Sequence, residues 1–438
     1  MKQLFQFCVA VGLAVSAGFV SADDWTGFRG NNSDGKSAEA NLLAQWPDDG
    51  PELIWTADAL GTGFSSVSIS GDHLFTCGDI GDEQCVFCVS TVDGSEVWRS
   101  AVDASNENDF AGTRSTPALS DGKVYVLTTA AVLCCLNAED GELLWKKDLA
   151  AECDARIMLA KGQWEWQFSE SPLIDENRVV VTPGGAGAVM MAFDKDSGDE
   201  LWRCDVPEIG ELGCDGAGYS TAVISNACGV KQYVQVVGRG VIGVEAETGR
   251  FLWGYNRIAN DVANISSPVV DGNYVFASTG YQTGAALLEL STSAAGDFEV
   301  EERYFLTHDI FQNHHGGFIL HDGCIFGGQG HKMGLPVCIE LETGEVQWGP
   351  VRNRGRESAA ICFADGHLYY RYQNGLMVLI EANRSEYVEK SSFMIPDVEQ
   401  PSWSHPVVCG GKLYLKEQGR LHCYDISEED RGTTASGS

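Results

Sequence analysis

Short segments in which apolar and polar residues alternate, separated by turns, make up most of this chain. KVYVLT (123–128), AVLCCLNAE (131–139) and NYVFAS (273–278) are typical of them. A period of two predicts β-strands that bury one face. Asp-Gly pairs, such as Asp121-Gly122 and Asp271-Gly272, mark tight turns between these segments. The pattern therefore predicts four-stranded antiparallel units.

One phrase recurs at the end of these units: a polar residue, then glycine, then tryptophan four positions after the glycine. It reads VDGSEVW, EDGELLW, DSGDELW, ETGRFLW and ETGEVQW, and its copies end at Trp98, Trp145, Trp202, Trp253 and Trp348. The copies lie about 50 residues apart, with one gap of about twice that length, so a single module repeats. We interpret the glycine as part of a hairpin turn and the tryptophan as a buried residue of an outer strand. The repeat favours propeller blades over pieces of a sandwich.

The first-strand pattern recurs eight times, which predicts an all-β, eight-bladed propeller of four-stranded antiparallel blades. The blades are expected to open near Phe64, Ser115, Ser169, Tyr219, Ser266, His315, Ser358 and Trp403. The eighth blade runs out of chain near LHCYDIS (421–427), before a fourth strand. The segment Glu52 to Thr56 resembles the outer strand of another module but follows no other strands. We therefore predict that it completes the last blade and closes the ring, with Trp55 joining the blade-docking tryptophans.

The N-terminus has the features of a secretory signal peptide. Lys2 precedes an apolar run from Phe7 to Val20, and Val20-Ser21-Ala22 forms a small-residue cleavage site. The predicted organisation is a signal peptide at 1–22, a propeller at 23–427 and a disordered tail at 428–438. We expect an exported protein of the periplasm or extracellular space, without a transmembrane segment after cleavage.

Charge excludes two classes of partner. The chain carries 62 acidic and 29 basic side chains, for a formal net charge of −33. Such a chain repels phosphate backbones and anionic lipid surfaces. We therefore expect no binding to nucleic acid.

Fifteen cysteines permit a disulfide framework in an exported protein. Seven of them, however, fall inside or beside apolar strand segments, where cysteine behaves as a small buried hydrophobe. These expected core thiols are Cys88, Cys134, Cys135, Cys338, Cys362, Cys409 and Cys423. Cys204 and Cys214, which lie on one interblade loop, are the more plausible disulfide.

The phrase AFDKDSGDELW (192–202) resembles the tryptophan-docking repeat of the pyrroloquinoline quinone (PQQ) type propeller superfamily. The opening WTGFRGNNSDGKS (25–37) and IWTADALGTGFSS (54–66) are similar to exported, BamB-like propellers found especially in planctomycete-type bacteria. The resemblance covers essentially the whole mature chain. It implies tryptophans that stack between blades, and it spans both quinoprotein dehydrogenases with PQQ and calcium and BamB, a scaffold with neither.

In a propeller, the loops leading into the inner strands and the turns between second and third strands surround one end of the axis. The candidate ligand- or partner-binding residues on this funnel face are Arg114, Glu170, Tyr219, Arg239, His314, His315, His331, Lys332, Arg356, Glu357, Trp403 and His405. Five of them, Arg114, Arg239, His331, Lys332 and Arg356, are basic exceptions in an acidic chain. The alternative is that these residues only satisfy loop backbones and neighbouring charges.

A PQQ and calcium site requires carboxylates and an aromatic plane. Glu170, Glu357 and Asp215 are available as carboxylates, and Trp164, Trp166 and Trp403 as planes. The adjacent pair Cys134-Cys135 resembles the disulfide beside PQQ in some dehydrogenases, but its alignment with VMMAFDKD places it inside a third strand. Nothing in the spacing of these residues requires a cofactor, so none is expected, and no metal.

We expect a monomeric, non-catalytic, BamB-like binding scaffold whose partners are envelope proteins or a small ligand. The alternative is a PQQ- and calcium-dependent oxidoreductase, similar to an alcohol dehydrogenase, with its site in the axial funnel. A third possibility is recognition of a sugar or polymer by the aromatic funnel loops.

Overall fold

The computed structural model describes residues 24–106, 110–159, 166–399 and 401–428. The predicted signal peptide, Trp164 and all but the first residue of the predicted tail lie outside these ranges. Within them, 32 strands form eight four-stranded antiparallel sheets, which confirms the predicted eight-bladed propeller. Among the described residues, none belongs to a helix with the length and apolarity needed to cross a bilayer.

The strands follow one another in chain order, from the inner to the outer edge of each blade. Blade 1 contains β2 (Ser68–Ser70), β3 (His73–Ile80), β4 (Glu83–Ser90) and β5 (Glu96–Ala104); blade 2 contains β6 (Ala118–Ser120), β7 (Lys123–Leu127), β8 (Val132–Asn137) and β9 (Leu143–Asp148). Blade 3 contains β10 (Leu173–Asp175), β11 (Arg178–Val181), β12 (Met190–Asp194) and β13 (Glu200–Cys204); blade 4 contains β14 (Val223–Ser225), β15 (Gln232–Val237), β16 (Gly240–Glu245) and β17 (Phe251–Tyr255). Blade 5 contains β18 (Val269–Asp271), β19 (Tyr274–Thr279), β20 (Gly284–Thr292) and β21 (Phe298–Thr307); blade 6 contains β22 (Phe318–His321), β23 (Cys324–Gln329), β24 (Leu335–Glu340) and β25 (Val346–Trp348). Blade 7 contains β26 (Ala359–Ala364), β27 (His367–Tyr372), β28 (Leu376–Glu381) and β29 (Glu389–Met394); blade 8 contains β30 (Val407–Cys409), β31 (Lys412–Glu417), β32 (Arg420–Asp425) and, as its outer strand, β1 (Glu52–Ala57). One α-helix, α1 (Leu149–Cys153), and a 3-10 turn (Ala227–Gly229) complete the elements.

The ring is closed by the two ends of the propeller sequence, as predicted. β1 pairs antiparallel with β32, from Glu52 opposite Asp425 to Ala57 opposite Leu421, with a bulge between Leu53 and Trp55. Without β1, the edge of β32 would present unpaired backbone groups. Closure therefore joins the first and last strands without a covalent link.

The tryptophan of one blade docks on the glycine turn of the next blade. The indole N–H of Trp202 donates to the carbonyl of Ala246 at 3.1 Å, and a Cβ on Gly249 would lie 2.5 Å from its ring. Gly249 has φ +72°, so the turn and the close approach both require glycine. The same donation to the next blade joins Trp55 to Thr91, Trp98 to Ala138, Trp145 to Lys195 and Trp348 to Asn383.

Three outer strands depart from this pattern. In blade 7, β29 has no tryptophan, and its Phe393 lies on Gly50, where a Cβ would be 2.7 Å from the ring. Trp253 donates instead to the Gln232 side chain of its own blade, at 2.6 Å. In blade 5, Tyr304 takes the docking position: its hydroxyl donates to the carbonyl of Leu341 at 2.7 Å, and its ring lies on Gly344. The double-length gap between Trp253 and Trp348 thus reflects a blade that uses tyrosine.

The described cysteines are free thiols, and most are buried. Cys134 and Cys135 lie inside β8, so the expectation of a strand position is correct. The disulfide expected between Cys204 and Cys214 is absent, which corrects that prediction. Cys204 is buried with the core between blades 3 and 4, whereas Cys214 packs against a different cluster, around blades 2 and 3.

Residues 24–36, which we call the axial plug, cross the axis below the funnel. Thr26 accepts a backbone hydrogen bond from Leu119 on the inner strand of blade 2, at 2.7 Å. Three residues later, the Arg29 guanidinium donates to the carbonyl of Phe318 in blade 6, at 2.6 Å. Blades 2 and 6 are opposite each other in an eight-bladed ring. The plug therefore closes one end of the central channel.

Candidate functional site

Side chains from loops at one end of the propeller form a continuous belt around the axis. We define the axial belt as Phe64, Arg114, Trp166, Tyr219, Tyr281, His314, His315 and Trp403. The loops lead into inner strands, which converge on the axis, or connect the second strand of a blade to the third. Every blade except the seventh supplies a member, and the seventh supplies Ser358, which lies 2.6 Å from the Nδ1 of His314.

Five rings of the belt, those of Phe64, Trp166, Tyr281, His315 and Trp403, leave part of their surface exposed. Trp403 packs against Phe64 with the ring centres 4.6 Å apart, and against His315 at 5.2 Å. On the other side, Trp166 lies nearly parallel to Tyr281, with centres 6.4 Å apart. All of these rings are half-buried. They provide flat apolar surfaces next to polar ring atoms.

Arg114 lies between Phe64 and Tyr219 and so completes the belt. Its guanidinium lies over the Phe64 ring, 5.8 Å from the ring centre, and donates to the carbonyls of Phe110 at 2.6 Å and Gly112 at 3.1 Å. Burial lowers the pKa of Arg114 to about 10, so it remains cationic at neutral pH. Its hydrogen bonds are directed mainly to the loop, which it holds in place.

The histidines of the funnel have lowered pKa values. Burial, followed by the proximity of His315 and His331, lowers the pKa of His314, and burial with the neighbouring His331 lowers the pKa of His315 to about 4. The ring of His314 lies 4.4 Å from that of His315 and 4.2 Å from that of His331, centre to centre. Neutral imidazoles offer one donor and one acceptor each.

The floor of the funnel is formed by the axial plug. Phe28 reaches the ring of His405, with centres 5.0 Å apart. Burial and the nearby Arg29 lower the pKa of His405 to about 3. The plug therefore contacts the funnel residues from below.

Several polar atoms of this pocket are buried without a hydrogen-bond partner among the described residues. They are the Nε1 atoms of Trp166 and Trp403, Nε2 of His315 and Nδ1 of His331. Buried polar groups in folded proteins are nearly always paired. The concentration of such atoms around one axis marks the pocket as the candidate binding site.

The remaining residues expected on the funnel face lie outside the belt. Glu170 is buried, with its carboxylate accepting from Thr182 and Gln235. Arg239 pairs with Asp215 at 2.8 Å and lines a separate cleft of about 470 Å³. Lys332, Arg356 and Glu357 are exposed at the rim.

Sequence reasoning missed three aromatic contributors. Tyr281 lies in the turn between β19 and β20, the position equivalent to His331 in blade 6, so aligning the turns would have identified it. The ring centre of Phe110 lies 4.9 Å from that of Trp403. It was missed because it lies too far before Ser115, the expected start of blade 2. Phe28 belongs to the plug, which carries no repeat signal.

Glu170 should make stability depend on pH. Burial raises the pKa of its carboxyl from 4.5 to about 8, and hydrogen bonds from Thr182 and Gln235 offset only part of this. Between these two pH values the folded state holds a proton that the unfolded chain releases, so stability is lost as pH rises through this window, with a slope of about 1.4 kcal/mol per pH unit. In Glu170→Gln this loss should disappear. Urea unfolding of both proteins at several pH values tests it, and parallel pH curves would contradict the expectation.

The arrangement does not fit a PQQ and calcium site. Of the three carboxylates available for one, Glu170 is bonded within the wall, Glu357 is exposed and Asp215 pairs with Arg239. Within the described ranges, no group of three or more His, Cys, Asp or Glu side chains is arranged to hold a metal ion.

The fold is that of the eight-bladed propellers, which include proteins of several functions. The family model for outer membrane protein assembly factor BamB matches residues 107–349, and the chain belongs to this family. BamB from Yersinia pestis is 23% identical over 250 residues, which cover 48% of this chain and 57% of that protein. The chain thus matches little more than half the length of that relative.

Solved structures show the same fold at low sequence identity. BamB from Moraxella catarrhalis superposes with a TM-score of 0.56 and 14% identity, over 85% of this chain and 97% of that one. A quinohemoprotein alcohol dehydrogenase from Pseudomonas putida HK5 gives a TM-score of 0.61 and 13% identity, over 93% and 81%. A europium-containing methanol dehydrogenase also gives 0.61, with 11% identity, over 91% of each chain. These likenesses concern the fold alone.

Proposed function

We propose that this protein is an exported, non-catalytic binding propeller of the BamB kind, which holds an acidic segment of an envelope protein at its funnel rim. The observation that carries the proposal is a group of exposed cations on blades 6 and 7. This cationic rim consists of Lys332, Arg352, Arg354 and Arg356. None of the four forms an ion pair with a residue of the described ranges.

Lys332 and Arg356 of the rim lie on adjoining segments. The turn that carries Lys332 packs on the loop that carries the arginines, since a Cβ on Gly334 would lie 2.7 Å from the carbonyl oxygen of Glu357. In a chain with a net charge of −33, four neighbouring unpaired cations stand out from the acidic exterior. Complementary charge speeds encounter and selects acidic partners, while the remaining surface repels them.

Membership in the family of an outer membrane protein assembly factor supports a partner in the cell envelope. The signal-like sequence of residues 1–22 supports export to reach it. The buried or paired positions of Glu170 and Asp215 favour binding over catalysis.

Charge reversal at the rim tests this function. In Lys332→Glu/Arg356→Glu, crosslinking to envelope partners in the exporting cell should be lost, and in wild type it should weaken with added salt because the contact is electrostatic. The matched control is Arg99→Glu/Lys146→Glu, which changes the charge equally on exposed outer-strand positions of blades 1 and 2. An unchanged crosslinking pattern in the rim variant would place the working surface elsewhere. Saturable PQQ binding with calcium, lost in Glu170→Gln or Glu357→Gln, would instead support an oxidoreductase.

A further inference from the structure

We propose that the axial pocket binds the ring of a neutral saccharide, between the aromatic faces of the belt and the unpaired polar atoms beneath them. This site is distinct from the cationic rim and does not depend on the rim's function. Its ligand class follows from three properties of the pocket: its shape, its hydrogen-bonding groups and its charge.

The shape suits a small cyclic ligand. The belt surrounds the axis, and the plug closes the base where Phe28 meets His405. Around the axis, Phe64, Trp403, Trp166 and Tyr281 are half-buried, so each leaves part of its ring surface exposed. Aromatic faces of this kind pack against the C–H groups of a sugar ring without requiring charge.

The hydrogen-bonding groups suit hydroxyls. Among the described residues, the indole N–H groups of Trp166 and Trp403 and the Nε2 of His315 have no hydrogen-bond partner. Indoles only donate, whereas neutral imidazoles and phenols both donate and accept. A ligand with several hydroxyl groups satisfies this mixture, since each hydroxyl also does both.

The charge disfavours an anionic ligand. The pKa of His315 is lowered to about 4 and that of His405 to about 3, both chiefly by burial, so these imidazoles are neutral at pH 7. Arg114 is the cation of the belt, but its guanidinium is bonded to the carbonyls of Phe110 and Gly112 and lies against Phe64. Lys332 is exposed and is not a belt residue, although its charge helps to lower the pKa of His314, His315 and His331. A carboxylate in the pocket would therefore find no free cation among the belt residues.

Calorimetric titration with defined saccharides tests the proposal. The probes are cellobiose, maltose and N,N′-diacetylchitobiose, with digalacturonic acid as the anionic comparator. At least one neutral disaccharide should bind saturably, and more tightly than the acid. Longer oligosaccharides of the same series distinguish the source, because a glycan chain should bind more tightly with length whereas a free sugar should not.

Variants locate the site. Trp403→Ala and His315→Ala should each weaken binding by about tenfold or more. Trp403→Phe, which keeps a ring but removes the N–H, should show an intermediate loss of affinity. It also serves as a folded variant if Trp403→Ala fails to fold. Both Arg356→Glu, at the rim, and Arg99→Glu/Lys146→Glu should bind as wild type does, so failure of the rim proposal and failure of this one are separable. Absence of neutral saccharide binding, preference for the acid, or an unchanged affinity in folded Trp403→Ala would overturn the proposal.

Discussion

Deletion of residues 51–57, which removes β1, is expected to destabilise the propeller more than any single substitution. The deletion removes the ladder to β32 and the Trp55 indole, which is 8% exposed and donates to Thr91 of blade 1 at 3.2 Å. Loss of a buried tryptophan together with a strand should cost more than about 5 kcal/mol. The measurement is the free energy of unfolding in urea, with the melting temperature as a second readout.

Two controls separate closure from simple loss of residues. Ile54 is the bulged residue of β1 and is 42% exposed, so Ile54→Lys should leave stability nearly unchanged. A circular permutant that begins at residue 58 and carries residues 24–57 after residue 428, through a flexible linker, should retain a stable fold because β1 can still pair with β32. An unchanged melting temperature in the deletion protein would refute closure by β1.

Repetition explains how much of the fold was predictable. The glycine-to-tryptophan spacing recurs wherever a hairpin joins the third and fourth strands, so the blades could be counted without a structure. The relation between neighbouring copies was not visible, because the tryptophan of one phrase meets the glycine of the next, as Trp202 meets Gly249. Tyr304 was missed as a docking residue because its strand, FEVEERYFLT, has tyrosine where the phrase has tryptophan.

The site was less predictable than the fold. The sequence rule was that residues just before an inner strand lie around the axis. Five residues that it selected contact other belt residues there: Arg114, Tyr219, His314, His315 and Trp403. The same rule also selected Glu170, but its carboxyl group points into the wall toward Thr182. The rule fails there because side chains of a loop do not alternate with a fixed period. The plug was beyond prediction for a different reason. Its contacts, such as that of Arg29 with Phe318, join residues far apart in the chain and follow no repeat.

Trp202→Ala is the second large effect that we expect. The residue is 7% exposed, lies nearly parallel to Tyr233 with ring centres 6.1 Å apart, and covers the turn at Gly249. Removing the indole leaves a cavity between blades 3 and 4 and an unpaired carbonyl on Ala246, which should cost about 3 to 5 kcal/mol.

A second variant disrupts the same contact from blade 4. Gly249→Ala would place a Cβ 2.5 Å from the Trp202 ring, at a backbone φ of +72° that alanine adopts poorly, so it should also be destabilising. Trp202→Phe, which keeps a ring on the turn, should recover part of the stability lost in the alanine variant. Because both changes break one interface, the double variant Trp202→Ala/Gly249→Ala should lose less than the sum of the single losses. Urea unfolding of the four variants measures this coupling. A loss below about 1 kcal/mol in Trp202→Ala, or fully additive losses in the double variant, would mean that the indole does not hold blade 3 to blade 4.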